Sequence, residues 1–115
     1  MTRAPRDDAF DVRTERRADH LRLLVSGELD LFREADLLRA LDEVLADTTP
    51  ERLVLDVRGV QFLDSSGLRA LLMCRDRACS LGIPLALAVA TGPVTRLLDV
   101  AGVRNWFAYD DSAIA

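Results

Sequence analysis

The sequence predicts an α/β fold: one domain with a mixed, mostly parallel sheet, helices packed on it and an antiparallel N-terminal hairpin. The chain has 115 residues and half are hydrophobic, which suffices for one core. After two strand-like segments, apolar strands alternate with helical segments, a pattern typical of a parallel sheet. No internal repeat, linker or low-complexity segment divides the chain.

The N-terminal part is expected to form a tail followed by a hairpin. Residues 1–9 are charged and lack an apolar run, so we expect a flexible tail that is not a signal peptide, with the domain spanning 10–115. Residues 10–29 predict two strands with a turn at 18–20. Gly27 is expected to break the second strand.

A helix is predicted over 30–47, because leucines and valines recur there at helical spacing and Asp30 can cap its first turn. Pro93 suits the start of a later helix and Gly102 its end. The other elements are a strand at 52–57, a helix at 65–82, a buried strand at 83–90, a short helix at 91–102 and a final strand at 105–110.

The apolar spacing also predicts which side chains form the core, since inward faces recur every two residues in strands and every three or four in helices. The expected core residues are Leu23, Val25, Leu38, Leu41, Leu53, Leu55, Leu71, Leu72, Leu85 and Leu87.

Composition excludes several classes of protein. The net charge is −4, so a nucleic acid is not an expected partner. The chain contains no lysine, which removes Schiff-base and P-loop chemistry. Cys74 and Cys79 lack the spacing of a zinc or redox pair, and we expect two reduced thiols, one of them in the core, in a cytoplasmic protein. No membrane span, metal site or cofactor is expected.

Catalysis by a serine nucleophile would need a base. His20 is the only histidine, and the hairpin turn that holds it is expected at the far end of the sheet, where it would be solvated. The sequence therefore predicts a protein that is not an enzyme and has no catalytic residues.

Three strand-to-helix junctions should lie at the carboxyl edge of the sheet, where ligands and partners bind in such folds. They read GELD, FLDSSG and ATGP. The side chains expected to share this edge are Asp30, Asp64, Ser65, Ser66, Thr91 and the backbone of Gly92.

The segment FLDSSGL at 62–68 allows two interpretations. One serine can cap the following helix, which is the commoner use of such residues. A hydroxyl on this turn could instead be phosphorylated, and the helix dipole would offset part of the added charge. A permanent anion site is less well supported, because Asp64 would repel the anion.

The whole chain resembles the STAS domain family of the anti-sigma factor antagonist type. LVSGELD at 24–30, LVLDVRGVQFLDSSGLRALL at 53–72 and VTRLLDVAGV at 94–103 carry the resemblance. It implies a bacterial regulatory protein whose unphosphorylated form binds an anti-sigma factor serine kinase and frees a sigma factor. It also implies that the kinase phosphorylates the serine after the aspartate, here Ser65, and that a serine phosphatase reverses this.

The resemblance and the edge together predict a partner surface. Its residues are Asp30, Asp64, Ser66, Gly67, Arg69, Met73 and Thr91. Arg69 and Met73 follow Ser65 by four and eight residues on one helix side, although Met73 could equally fill the edge of the core. The alternative function is a STAS scaffold or small-ligand module that is never phosphorylated.

Overall fold

The computed structural model describes residues 10–110 as one sheet with three α-helices. Its strands are β1 Asp11–Arg16, β2 Leu21–Leu29, β3 Leu53–Leu63, β4 Leu85–Ala88 and β5 Ala108–Tyr109. Its helices are α1 Glu34–Asp47, α2 Ser65–Ser80 and α3 Pro93–Ala101, with a 3-10 turn at Arg104–Trp106. The predicted tail at 1–9 and the last residues, 111–115, lie outside the described residues.

The strands lie in the order β1-β2-β3-β4-β5. β1 is antiparallel to β2, and each of the other three neighbouring pairs is parallel. Helices α1 and α2 pack beside each other, and α3 contacts β3. The predicted mixed sheet with an antiparallel N-terminal hairpin is confirmed.

Two strands are longer than the sequence pattern indicated. β2 continues through Gly27, which has a φ of 92°, and ends at Leu29. β3 continues beyond Val57 to Leu63. The pairing shows why: between the Leu24–Asp56 and Glu28–Phe62 pairs, β3 twice inserts one extra residue opposite β2. The predictions that Gly27 ends β2 and that β3 stops near Val57 are therefore wrong.

The hydrophobic core lies between the sheet and the helices. Its fully buried members include Leu23, Leu29, Leu37, Leu41, Leu53, Leu55, Leu71, Leu87 and Leu98. Of the ten predicted core residues, Leu72 and Leu85 are only partly buried and pack against this cluster from its edge. Leu72 is only partly buried because it follows Leu71 by one residue in α2, and this step turns its side chain away from the face that points into the core.

A buried group of charged side chains lies on the opposite face of the sheet. Arg22 stands between two core leucines of β2 and therefore points away from them. Its guanidinium donates at 2.8 Å to Asp56 of β3 and at 2.8 Å to Asp110, which follows β5. Arg58 also donates to Asp56, and together the two arginines hold the Asp56 pKa below its usual value although burial alone would raise it.

Gly67 allows α2 to begin against the end of β2. A Cβ at this position would lie 2.2 Å from the carbonyl oxygen of Leu29 and 2.5 Å from Leu63 Cδ1. No real side chain tolerates a backbone atom at that distance, so the contact requires glycine. It presses the first turn of α2 against the strand end that precedes Asp30.

Leu71→Ala and Leu72→Ala should separate the core from its edge. Leu71 has no exposed surface, so its truncation should cost about 2–5 kcal/mol of unfolding free energy. Leu72 is partly exposed, and we expect roughly 1–2 kcal/mol. Urea unfolding of both variants measures this, and equal losses would contradict the assigned helix faces.

Gly67→Ala should destabilise the domain, although helix propensity alone would favour alanine by about 1 kcal/mol. The added methyl group must displace the Leu29 carbonyl, and such overpacking costs about 1–3 kcal/mol or more. Ser66→Ala, at the neighbouring helical position, adds no atoms and serves as the control. Urea unfolding that showed Gly67→Ala to be more stable than the wild type would contradict the close approach.

Candidate functional site

Two of the predicted junctions meet at the carboxyl edge of the sheet. The last pair between β2 and β3 is Leu29 with Leu63, so Asp30 and Asp64 follow on neighbouring strands at the same level. β4 ends earlier, with Ala88 opposite Asp56. The exposed Thr91 therefore follows a strand end that lies well short of Asp64 along β3, and the strand pairing does not bring it beside the other two junctions.

Asp64, not a serine, caps helix α2. Its carboxylate accepts a hydrogen bond from the Gly67 backbone N–H at 2.9 Å, and its carbonyl accepts from Leu68 N at 3.0 Å. Ser65 is the first residue of the helix itself. The interpretation that a serine caps this helix is wrong, because the aspartate one residue earlier already occupies that position.

The two serines differ in accessibility. Ser65 is exposed, whereas Ser66 is partly buried. Among residues 10–110, the Ser65 hydroxyl has no hydrogen-bonding partner. Ser65 therefore presents a free hydroxyl to solvent at the first turn of α2.

Asp30 stabilises a turn before α1. The prediction that it caps this helix is wrong. Its carboxylate accepts from the Phe32 backbone N–H at 3.0 Å, and its carbonyl accepts from Arg33 N at 3.0 Å. The helix begins at Glu34 after Arg33, whose side chain makes no capping hydrogen bond. Aspartate commonly closes a local turn in this way, and here that satisfies its side chain before the helix starts.

Three large apolar side chains beside these turns are exposed. Leu31 and Phe32 lie in the turn after β2 and are 58% and 81% exposed, and Phe62 near the end of β3 is 48% exposed. None of the three was predicted, because Leu31 and Phe32 were expected inside a helix and Phe62 in the passage after a strand that ended near Val57. The signal was present for Phe32, which at helical spacing falls on the side of Asp36 and Arg39 and not on that of the inward-facing leucines.

Arg69 and Met73 lie on the side of α2 that was predicted to reach a partner. The Arg69 guanidinium binds the Glu34 carboxylate of α1 through two contacts, Nε to Oε2 at 2.6 Å and Nη2 to Oε1 at 2.9 Å. This hydrogen-bonded pair lowers the pKa of Glu34 and raises that of Arg69. Met73 is partly buried and packs against the core.

The remaining candidates for chemistry lie elsewhere. His20 is in the hairpin turn at the opposite end of β2, as predicted. Its side chain is only 8% exposed, and its Nδ1 lies 2.8 Å from Asp19 Oδ1. The expectation of a solvated histidine is therefore wrong. Both cysteines are free; Cys74 is buried, which raises its pKa to about 12, and Cys79 is exposed.

Residues 10–110 contain no cluster of three or more histidine, cysteine or acidic side chains suited to a metal ion. Over the same residues, every helix is too short or too polar to cross a bilayer. The edge formed by the two turns carries two aspartates, the exposed hydroxyl of Ser65 and exposed apolar side chains.

The chain matches the STAS domain family over residues 11–113. An anti-sigma F factor antagonist of Paenibacillus polymyxa is 36% identical over 80 residues, which cover 69% of this chain and 68% of the relative. An anti-sigma-F factor antagonist of Mycobacterium tuberculosis is 39% identical over 77 residues, covering 64% of this chain and 58% of the relative.

Solved structures show the same architecture. The crystal structure of an anti-sigma factor antagonist from Mycobacterium paratuberculosis matches with a TM-score of 0.75 at 25% identity, covering 89% of this chain and 86% of the other. The match to the family extends from the first strand beyond the last and includes both turns of the edge. The chain belongs to the STAS domain family.

Proposed function

We propose that this protein is an anti-sigma factor antagonist of the bacterial cytoplasm that is controlled by phosphorylation of Ser65. Its unphosphorylated form binds an anti-sigma factor that is also a serine kinase, and this binding releases the sigma factor. Phosphorylation by that kinase ends the interaction, and a serine phosphatase restores it. The names of the relatives from Paenibacillus polymyxa and Mycobacterium tuberculosis support the antagonist role.

The free hydroxyl of Ser65 is the observation that carries the proposal. Asp64 takes the capping position, so Ser65 contributes no hydrogen bond to the helix start within the described chain. Its exposure lets a kinase reach it without unfolding α2. Ser66, one residue later, is partly buried and is the less accessible acceptor.

The modification is a phosphoryl transfer from a nucleoside triphosphate. The Ser65 oxygen attacks the γ-phosphorus, an O–P bond forms, and the bond from that phosphorus to the β–γ bridging oxygen breaks. The serine proton passes to a base of the kinase, and the nucleoside diphosphate leaves. This chain supplies the Ser65 hydroxyl as the acceptor, while the kinase supplies the catalytic groups and the metal ion that accompanies its nucleotide.

The added charge explains how the switch would work. Phosphoserine carries about −1.5 to −2 charges at neutral pH. At this edge Asp64 and Asp30 already contribute two carboxylates on adjacent strand ends. A partner that covers the edge would have to bury the phosphate beside them, which costs much more than a lost hydrogen bond because one positive charge cannot balance a phosphate and two carboxylates.

The exposed apolar groups make this edge suited to protein binding. Leu31, Phe32 and Phe62 lie within three residues of Asp30 or Asp64 in the sequence. Exposed aromatic side chains beside polar groups are typical of the residues that dominate binding energy at interfaces. We propose that these three side chains form the partner surface together with Asp30, Asp64, Ser66, Arg69 and Met73. Gly67 contributes by holding the start of α2 in place, and Thr91 lies at the margin of the surface.

Phosphorylation of Ser65 should weaken partner binding by about tenfold or more, because burial of the phosphate beside Asp30 and Asp64 should cost at least about 1.4 kcal/mol of binding free energy. Ser65→Ala should bind like the wild type, since it adds no charge, and Ser65→Asp should weaken binding less than phosphate does. Calorimetric titration of the purified kinase into each form measures this, with circular dichroism to confirm folding.

Ser66→Ala is the matched control, and it should still accept one phosphate, as shown by intact mass and peptide mapping. Phosphate mapped to Ser66, or equal affinity of the phosphorylated and unphosphorylated forms, would reject the switch. A folded protein that never accepts phosphate and binds no kinase would favour the unphosphorylated scaffold instead.

Phe32→Ala and Met73→Ala should affect binding and stability differently. Phe32 is 81% exposed, so its truncation should change stability by less than about 0.5 kcal/mol while weakening binding by more than about 1 kcal/mol. Met73 packs partly on the core, so its truncation should reduce both quantities. Urea unfolding and calorimetry on both variants decide this, and Met73→Ala with lost stability but unchanged affinity would remove Met73 from the partner surface.

A further inference from the structure

The Arg69–Glu34 ion pair joins the beginnings of two helices beside the proposed phosphorylation site. Glu34 is the first residue of α1, and Arg69 lies in the second turn of α2. Both contacts are short, at 2.6 and 2.9 Å, and the arginine presents its planar edge to both carboxylate oxygens. The Glu34 side chain is 17% exposed and that of Arg69 is 59% exposed, so the guanidinium is accessible while its acceptor is mostly covered.

Arg69 is also placed to meet a group on Ser65. The two residues are four positions apart in α2, where side chains are neighbours, with about 5–6 Å between their Cβ atoms. Helical side chains lean toward the N-terminus, so Arg69 leans toward the turn that carries Ser65. One guanidinium thus has two possible oxyanion acceptors: the Glu34 carboxylate now, and a phosphate after modification.

The phosphate is the stronger acceptor of the two. It carries about −1.5 to −2 charges and three oxygens, against one charge and two oxygens on the carboxylate. Arginine binds either anion with two parallel hydrogen bonds, so geometry does not favour the carboxylate. The phosphate also belongs to the same helix as Arg69, whereas Glu34 belongs to another element.

We propose that Arg69 is the internal receptor for the phosphate on Ser65, and that it leaves Glu34 when this phosphate is added. The inference rests on the proposed phosphorylation of Ser65. Phosphorylation then has two effects at the edge: it adds charge there, and it removes the ion pair that joins the start of α1 to α2. The Glu34 carboxylate is then left without its counter-charge beside the turn that carries Phe32, while Arg69 offsets part of the charge on the phosphate.

The test uses full-length chain with phosphoserine incorporated at position 65 during synthesis, so that no kinase is required. Phosphorus-31 NMR follows the second ionisation of the phosphate as pH is varied. Arg69 should lower that pKa, and Arg69→Gln should raise it by about 0.5–1 unit. Glu34→Gln, which removes the competing carboxylate, should lower it further.

Arg75→Gln is the matched control, because it removes the same charge from the same helix about 15 Å from Ser65. It should leave the phosphate pKa within about 0.1 unit of that of the parent chain, since exposed charges beyond the Debye length are screened. Arg69→Gln and Arg75→Gln with the same phosphate pKa would overturn the proposal.

Carbon-13 NMR of the Glu34 carboxyl group provides the second measurement. In the unphosphorylated chain Arg69 holds the Glu34 pKa below its usual value. After phosphorylation that pKa should rise to at least its value in unphosphorylated Arg69→Gln, and an unchanged pKa would overturn the exchange. These results are independent of whether any kinase modifies Ser65 or loses affinity, which tests the proposed function separately.

Discussion

The contact between Gly67 and the carbonyl oxygen of Leu29 is the constraint on which the candidate site depends. With a Cβ only 2.2 Å from that oxygen, no other residue could stand at position 67 without moving α2. The parallel pairing of Leu29 with Leu63 aligns the ends of β2 and β3, and this contact then holds the helix start against both. The result is one edge made from two turns that are more than thirty residues apart in the chain.

The opposite face of the sheet stabilises the same two strands by different means. Arg22 of β2 and Asp56 of β3 form a buried ion pair, and Asp110 extends it to the end of β5. Loss of one member would leave an uncompensated buried charge, which is more damaging than loss of the whole group. This face is therefore sensitive to single substitutions, and it lies away from the edge that carries Ser65.

Local hydrogen bonding explains why a chain can place an acid and two serines at one helix start. Asp64 accepts the capping hydrogen bond, so Ser65 remains free. Asp30 does the equivalent for its own turn by accepting from Phe32 N, and it thereby projects an apolar dipeptide outward. In both turns an aspartate satisfies the backbone, and the neighbouring side chains are left available to a partner.

The sequence by itself determined the order of the elements, the mixed sheet with its antiparallel hairpin, the end of α3 at Gly102 and the place of Ser65 at a helix start. Those features depend on hydrophobic periodicity and on local signals such as Pro93 and Gly102. Only the tertiary structure decided how far β2 and β3 extend, because the bulges that carry them past Gly27 and Val57 exist only in the pairing between strands. The Arg69–Glu34 pair, the buried Arg22 group and the partial exposure of Leu72 also depend on how remote segments pack. Local propensity could not choose between Asp64 and the serines as the cap, since all are good capping residues; the folded chain places the aspartate just outside the first helical turn.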